Sequence, residues 1–379
     1  MKFTINRLAF INALNNVLRA VSSKTTIPIL TGLKLVVEND QIILTGSNAD
    51  ISIETTINQT DGEYALVVSE PGAIVLPARF FIEIIKKLPD QEVSIAINDG
   101  FQAVITSGTA EFTVNGQDAN NFPHLPEVDG TSQVMIAPDI LREVIEQTRI
   151  AVSKQESRPI LTGIHFTLAN GQLTAVATDS HRLAQRNVAV PTSEGQQYYV
   201  VIPGNSLTEL SRMVNEVDGD VTMNFTDNQI LFTFGQTKFY SRLLEGNYPE
   251  TSRLIPTSSE TTIELAADSF LASIERASLL SHQSRNNVVK LTINPSLSVA
   301  KISGNSADVG NVEEAINAEL MAGNDLEISF NPDYMRDALK SFGSAKILMS
   351  FTSALRPFTL VPADDHDNFV QLITPVRTY

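Results

Sequence analysis

The segments AVSSKTTIPILTG, residues 20–32, and AVSKQESRPILTG, residues 151–163, align without a gap. Residue 20 matches residue 151, an offset of 131, and eight of the 13 positions are identical: Ala20/Ala151, Val21/Val152, Ser22/Ser153, Pro28/Pro159, Ile29/Ile160, Leu30/Leu161, Thr31/Thr162 and Gly32/Gly163. Chance does not plausibly give this within one short chain, and the offset is close to one domain length. A duplicated domain is the first reading, and 379 residues leave room for a third copy.

Working outward, each copy reads as an alternating strand followed by a helix. Phe3-Thr4-Ile5 precedes apolar residues at Phe10, Leu14, Val17 and Val21, spaced 4, 3 and 4 along one helical face. Val134-Met135-Ile136 precedes Leu141, Ile145, Thr148 and Val152, and Ile263-Glu264-Leu265 precedes Phe270, Ile274, Ala277 and Ser281. A second helix recurs in each copy. Val75-Leu76-Pro77 leads into Phe81, Ile84, Ile85 and Leu88; Val201-Ile202-Pro203 into Leu207, Leu210 and Val214; Phe330-Asn331-Pro332 into Met335, Ala338, Leu339 and Phe342. In this reading the prolines start the helices, because the missing N–H has no intrahelical partner there. Alternating strands follow at Val93–Ile97, Val221–Phe225 and Ile347–Phe351. Short turns such as Glu38-Asn39-Asp40 and Asn98-Asp99-Gly100 join the strands, which favours antiparallel sheets covered by helices, an α+β class. Linker-like stretches run from Phe122-Pro123-His124-Leu125-Pro126 to Ser132 and over Pro256-Thr257-Ser258-Ser259. The domains expected are 1–126, 130–255 and 259–379.

Composition narrows the function classes. The chain has no Cys and five scattered His, so disulfides, Cys-ligated metals and a His cluster are all unsupported. The opening Met1-Lys2-Phe3-Thr4-Ile5-Asn6 reads as a strand and not as a signal peptide, and no apolar run nears the roughly 18–20 residues that span a bilayer. A cytoplasmic protein with no membrane partner is expected. The net charge of −16 argues, taken alone, against nucleic acid. Net charge, however, does not say where charges sit. Three domains in line also fit an open array or an adhesin, whereas two arcs joined head to tail can close a ring and remove free sheet edges.

No P-loop, Gly-x-Gly-x-x-Gly or paired-carboxylate arrangement is visible, and no cofactor is expected. Asp179, Ser180 and His181 invite a hydrolase reading. Adjacency in sequence supplies neither an oriented base nor an oxyanion hole, and no Gly-x-Ser-x-Gly elbow surrounds Ser180. Their first-repeat counterparts are Asn48, Ala49 and Asp50, so the segment reads as a repeated strand-to-turn element with no catalytic residues.

Several stretches carry a resemblance to a known family. They are Met1-Lys2-Phe3-Thr4-Ile5, Pro28-Ile29-Leu30, Val75-Leu76-Pro77-Ala78-Arg79, Asn121-Phe122-Pro123, Ala177-Thr178-Asp179-Ser180-His181-Arg182-Leu183-Ala184 and Thr374-Pro375-Val376-Arg377. Over its whole length the chain resembles the bacterial sliding clamp, the beta subunit of the replicative DNA polymerase. The resemblance implies three tandem copies of a DNA-clamp domain, with two helices on antiparallel sheets in each. It further implies a head-to-tail homodimer that forms a ring with helices lining the hole. The protein would be a non-catalytic processivity factor that encircles duplex DNA without sequence preference. Its implied partners are the polymerase alpha subunit, the clamp loader, translesion polymerases and repair proteins.

The same resemblance assigns residues. A groove between the second and third domains would take short peptide motifs at Leu161, Thr178, Ser180, His181, Arg182, Leu183, Pro249, Arg253, Leu254, Leu372, Thr374, Pro375, Val376 and Arg377, an apolar pocket with a polar rim. Read from residues alone, Leu161, Leu183 and Leu254 are more readily ordinary core, and the resemblance reverses that reading. In the family a Gly often stands where Ser180 is, and bulkier apolar residues where Thr374 and Val376 are. Lys24, Gln155 and Arg158 would face DNA. Helical cations Arg19, Lys86, Lys87, Arg142, Arg149, Arg212, Arg276, Arg336 and Lys340 share their helices with acids, so the channel is expected to be only weakly positive. Phe112 and Val114 would meet Leu279 and Leu280 at the subunit interface, and Phe80 stands where the family commonly has a basic residue.

Overall fold

The repeated Pro-Ile-Leu-Thr-Gly string folds the same way twice. Pro28–Thr31 and Pro159–Thr162 each form a 3-10 turn with proline in its first positions. The Thr31 hydroxyl donates to the Pro28 carbonyl at 2.8 Å, and the Thr162 hydroxyl to Pro159 at 2.6 Å. Upstream, Ser22 Oγ accepts from the Lys24 N–H and Ser153 Oγ from the Gln155 N–H, both at 3.1 Å. Gly32 and Gly163 then open the strands Gly32–Val37 and Gly163–Ala169. A Cβ on Gly163 would lie 2.7 Å from the Ile202 carbonyl oxygen, and one on Gly32 would collide with Val75 Cγ1. Only glycine permits that approach.

The structure, a computed structural model, describes every residue except Asp99, Pro126, Glu127, residues 129–132, residues 193–196, Arg285 and Tyr379, and the side chain of Glu216. Most of the first linker, the domain bounds at 126 and 130, the Asp99 turn residue and Tyr379 therefore lie outside the described residues.

Six α-helices stand among the described residues: α1 Arg7–Leu18, α2 Ala78–Lys87, α3 Pro138–Thr148, α4 Gly204–Met213, α5 Ala267–Ser281 and α6 Pro332–Phe342. The apolar stripes read from sequence are the buried faces: Phe10, Leu14 and Val17 in α1, Phe81, Ile84 and Ile85 in α2, Met335, Ala338, Leu339 and Phe342 in α6. The stripes overrun the helices by a residue or a turn. Val21, Leu88, Val152 and Val214 lie past the helix ends. All three prolines stand at helix starts, Pro77 as the cap of α2 and Pro203 directly before α4. Pro332 occupies the first turn of α6, and Pro77 and Pro203 are also the last residues of strands. A strand-end proline is equally tolerated, since its absent N–H falls where the ladder stops.

The chain divides into two units, residues 1–139 with 209–243, and residues 140–208 with 244–379. In the first, a five-stranded sheet runs in the order Val67–Glu70, Lys2–Asn6, Glu92–Asn98, Gln102–Ser107, Ala110–Asn115. An eight-stranded sheet runs Gln133–Ile136, Val221–Phe225, Gln229–Phe234, Thr237–Arg242, Ile51–Asn58, Gln41–Ser47, Gly32–Val37, Gly72–Pro77. This larger sheet joins two sequence repeats: Thr237 to Ser241 pair antiparallel with Thr55 to Ile51. Phe3, Phe10 and Phe81 pack edge to face, with centroids 6.2 and 6.1 Å apart, under α1 and α2.

The second unit repeats the plan. Its nine-stranded sheet runs Tyr198–Pro203, Gly163–Ala169, Gln172–Thr178, Arg182–Ala189, Phe369–Ile373, Phe358–Pro362, Lys346–Phe351, Thr261–Ala266, Leu320–Gly323. The repeats join where Arg182 to Arg186 pair antiparallel with Ile373 to Phe369. A four-stranded sheet runs Gly310–Ala315, Val299–Ser306, Val289–Asn294, Leu326–Phe330. Its core gathers Phe270, Ile274, Phe330, Met335, Phe342, Phe351, Phe358 and Phe369.

Candidate functional site

The turn after strand Gln172–Thr178 is built by its own side chains. Asp179 Oδ1 accepts from the backbone N–H groups of His181 (2.9 Å) and Arg182 (3.1 Å), an Asx turn. Asn48 does the same in the first repeat, accepting from Asp50 and Ile51 at 2.8 and 2.9 Å. The structural role read for this segment is thereby explained. The second copy adds Ser180 at φ 78°, a left-handed conformation that suits glycine. Thr178 Oγ1 closes the turn, donating to the Arg182 carbonyl at 2.7 Å and accepting from the Ser180 N–H at 3.2 Å.

Arg182 is locked in place. Its Nε donates to Asp179 Oδ2 at 3.0 Å and its Nη1 to Asp337 Oδ2 at 2.9 Å, and its guanidinium lies 4.6 Å from the Tyr334 ring centroid. His181 stacks on the same ring at 6.3 Å. Beneath the turn, Val176, Leu183 and Leu372 form a small buried cluster, with Tyr248 and Ile255 packed against it. The Tyr248 hydroxyl accepts the Thr178 N–H at 3.0 Å, and the ring stacks on His165 at 4.9 Å. Burial pushes the Tyr248 hydroxyl above its ordinary value, with Asp179 adding to the shift, so it stays protonated. Burial also holds His165 below its usual value, against the opposing pull of Glu250.

The C-terminal segment is pinned across the same place. The Thr374 N–H donates to the His181 carbonyl at 2.9 Å, the Val376 N–H to Ser329 at 2.7 Å, and the Ser329 and Thr378 hydroxyls pair at 3.1 Å. Leu183, Leu372, Thr178 and Thr374 thus lie together, with Ser180, His181 and Arg182 around them. Leu161 is buried at 4% exposure, as a core residue would be, while Leu254 is half exposed in the turn Ser252–Leu254. Pro249, Arg253, Val376 and Arg377 are exposed, and Pro375 is half-buried. Sequence reasoning missed Tyr248, Tyr334 and Asp337. Only the repeated Asn-Phe-Pro and Asn-Tyr-Pro at 121–123 and 247–249 could have flagged the first of these.

The other expected residues distribute unevenly. Lys24, Gln155 and Arg158 are all exposed. Many helical cations are already matched by acids: Arg19 and Arg212 by Glu209, Lys86 by Glu83, Arg336 by Asp333 and Asp337, Lys340 by Glu275, Arg276 by Glu314. A cavity of about 210 Å³ between α3 and α6 mixes Glu143, Glu146 and Asp337 with Arg149 and Lys340. Phe112 and Leu279 are 41% and 68% exposed and Leu280 half-buried, but Val114 is 5% exposed and already spent in its own unit. Phe80 is 62% exposed. Among the described residues no cluster of His, Asp and Glu could hold a metal, and no helix is long and apolar enough to cross a membrane.

A thrice-repeated α+β domain whose sheets run on from one repeat into the next, with an apolar cluster rimmed by His and Arg at one such join, defines a clamp-type protein. Known proteins place it further. The models for the N-terminal, central and C-terminal domains of the DNA polymerase III beta subunit match residues 1–126, 135–250 and 252–377. The beta sliding clamp of Bacillus subtilis is 48% identical over 380 residues, covering all of both chains. Its sliding-clamp crystal structure aligns over all of both chains with a TM-score of 0.97 at 47% identity, and the DNA polymerase III beta chain of Streptococcus pneumoniae likewise, at 0.95 and 44%. The chain belongs to the DNA polymerase III beta subunit family, the non-catalytic sliding-clamp subunit of that polymerase.

Proposed function

We propose that the chain is a DNA sliding clamp: a head-to-tail homodimeric ring that encircles duplex DNA, with helices lining the hole. It has three clamp domains, 1–126, 130–255 and 259–379. It holds the polymerase alpha subunit, the clamp loader, translesion polymerases and repair proteins by short peptides bound in the groove around Leu183, Leu372 and Arg182, and it works in the cytoplasm.

One observation carries the ring. Each half-repeat contributes a meander whose third strand is a potential joint. The third strand of the first half of repeat one, Ile51–Asn58, pairs with that of the second half of repeat two, Thr237–Arg242. By the same rule Arg182–Ala189 of repeat two pairs with Phe369–Ile373 of repeat three. Among the described residues two such strands end their sheets without a further partner: Gly310–Ala315 of repeat three and Ala110–Asn115 of repeat one. Applied once more, the rule joins these two strands between subunits, and a dimer closes with every such joint satisfied. Phe112 lies on one of these edges, and Leu279 and Leu280 sit near the end of α5, the helix tied to the other by Arg276 and Glu314.

Matched charges suit sliding. Exposed Lys24, Gln155 and Arg158 can touch phosphates, which carry no sequence information, while the acid-paired helical cations hold the field down. The test is retention on DNA. Loaded onto a nicked circle by a clamp loader, the protein should remain bound in high salt and be lost when the circle is linearised. Salt-sensitive release indifferent to DNA ends would mean ordinary electrostatic binding and remove the topological mechanism.

A further inference from the structure

The two complete copies of the Asn-aromatic-Pro element differ at one atom. In the first repeat Phe122 is buried at 1% exposure among Ile29, Leu30, Val75 and Ala119, with the Lys34 ammonium 5.9 Å from its ring centroid. In the second repeat Tyr248 holds that place. His165, at the 131-residue offset from Lys34, stacks on its ring. The side chain at the Lys34 position still lies against the ring, the apolar neighbours are now Val176, Leu183 and Leu372, and the added hydroxyl accepts the Thr178 N–H at 3.0 Å. Thr178 is the last residue of its strand and the first support of the turn that carries Ser180, His181 and Arg182. Tyr248 also precedes Pro249 and packs on the Val176, Leu183 and Leu372 cluster.

We infer that Tyr248 is a positioning residue of the peptide groove, its hydroxyl fixing the Thr178 turn and the Pro249 loop in mutual register so that a bound peptide meets a preformed rim. This rests on the groove reading above. Tyr248→Phe restores the chemistry of the first repeat and keeps the ring. It leaves the Thr178 N–H, on a residue 5% exposed, without its acceptor. The turn then samples conformations that bind poorly, and apparent affinity falls in proportion to the competent fraction.

The probe is the tightest-binding member of a set of labelled, overlapping peptides tiled across the polymerase alpha subunit. Against it, Tyr248→Phe should raise Kd about five- to tenfold, chiefly through slower association, because only the competent fraction of the free protein can bind. Amide exchange over residues 177–183 should accelerate, and the melting temperature should change little. A purely structural tyrosine would lower the melting temperature and leave Kd unchanged, and that result overturns the inference. Leu254→Asp, on the exposed wall, separates the two readings. If it abolishes binding while Tyr248→Phe leaves Kd unchanged, only the positioning role falls. If Leu254→Asp leaves Kd unchanged, the groove reading falls and takes this inference with it.

Discussion

Ser180 carries a side chain where the backbone asks for none. A left-handed non-glycine residue costs roughly 1–2 kcal/mol, and glycine gives back about 0.5–1 kcal/mol by loosening the unfolded chain. Ser180→Gly should therefore stabilise the protein by about 0.5 kcal/mol, read as a higher urea midpoint with an unchanged slope. Gly163 is the opposite case, since its missing Cβ would meet a backbone carbonyl at 2.7 Å that cannot rotate away. Gly163→Ala should cost about 2 kcal/mol or more, and the same measurement should show the midpoint falling. The identity string that exposed the repeat ends on this residue, which is why it was legible: sterics forbid drift there. The φ of Ser180 was not legible, because a turn's handedness depends on the Asx and Thr178 hydrogen bonds that close it, and no single residue type encodes those.

Elements are held by pairs that sequence spacing did not reveal. Glu314, on the strand Gly310–Ala315, accepts from Ser273 at 2.7 Å and from Arg276 Nε at 2.8 Å, both on α5. The Arg276 and Ser273 hydrogen bonds lower its carboxyl to about 2 from an ordinary 4.5. A depressed carboxylate contributes stability that is complete above about 4.5 and is lost as pH falls toward about 2. Glu314→Gln should flatten the stability profile in that window. At neutral pH it should cost under about 1 kcal/mol, since the pair is largely solvated. Arg182 offers a second test. Asp337→Ala removes one of its two carboxylate partners, so peptide affinity should fall severalfold while circular dichroism is unchanged. Helix stripes and alternating strands were readable because 3.6- and 2-residue periods are local. The pairing of Thr237–Arg242 with Ile51–Asn58 spans some 180 residues, and no local period could announce it. Pro77 and Pro203 each close a strand and open the way to a helix at once, since strand ends and helix starts tolerate the same missing N–H.

At the scale of the whole molecule, the proposed ring takes the two joints inside the chain as the pattern for a third, between Gly310–Ala315 and Ala110–Asn115 of a second copy. Phe112 and Leu279, exposed within single chains, are the side chains to break it. Leu279→Asp places a charge in an apolar contact, and the variant should elute as a monomer at micromolar concentration, with its fold intact by circular dichroism. A net charge of −16 pointed away from DNA, and the proposed ring answers it with a topological link that needs no net positive field, the helical cations being largely matched by acids. The most direct measurement is the solution mass by light scattering, coupled to small-angle X-ray scattering. The ring predicts twice the mass of one chain and a distance distribution that demands a central hole. A compact or rod-like monomer at micromolar concentration would contradict it.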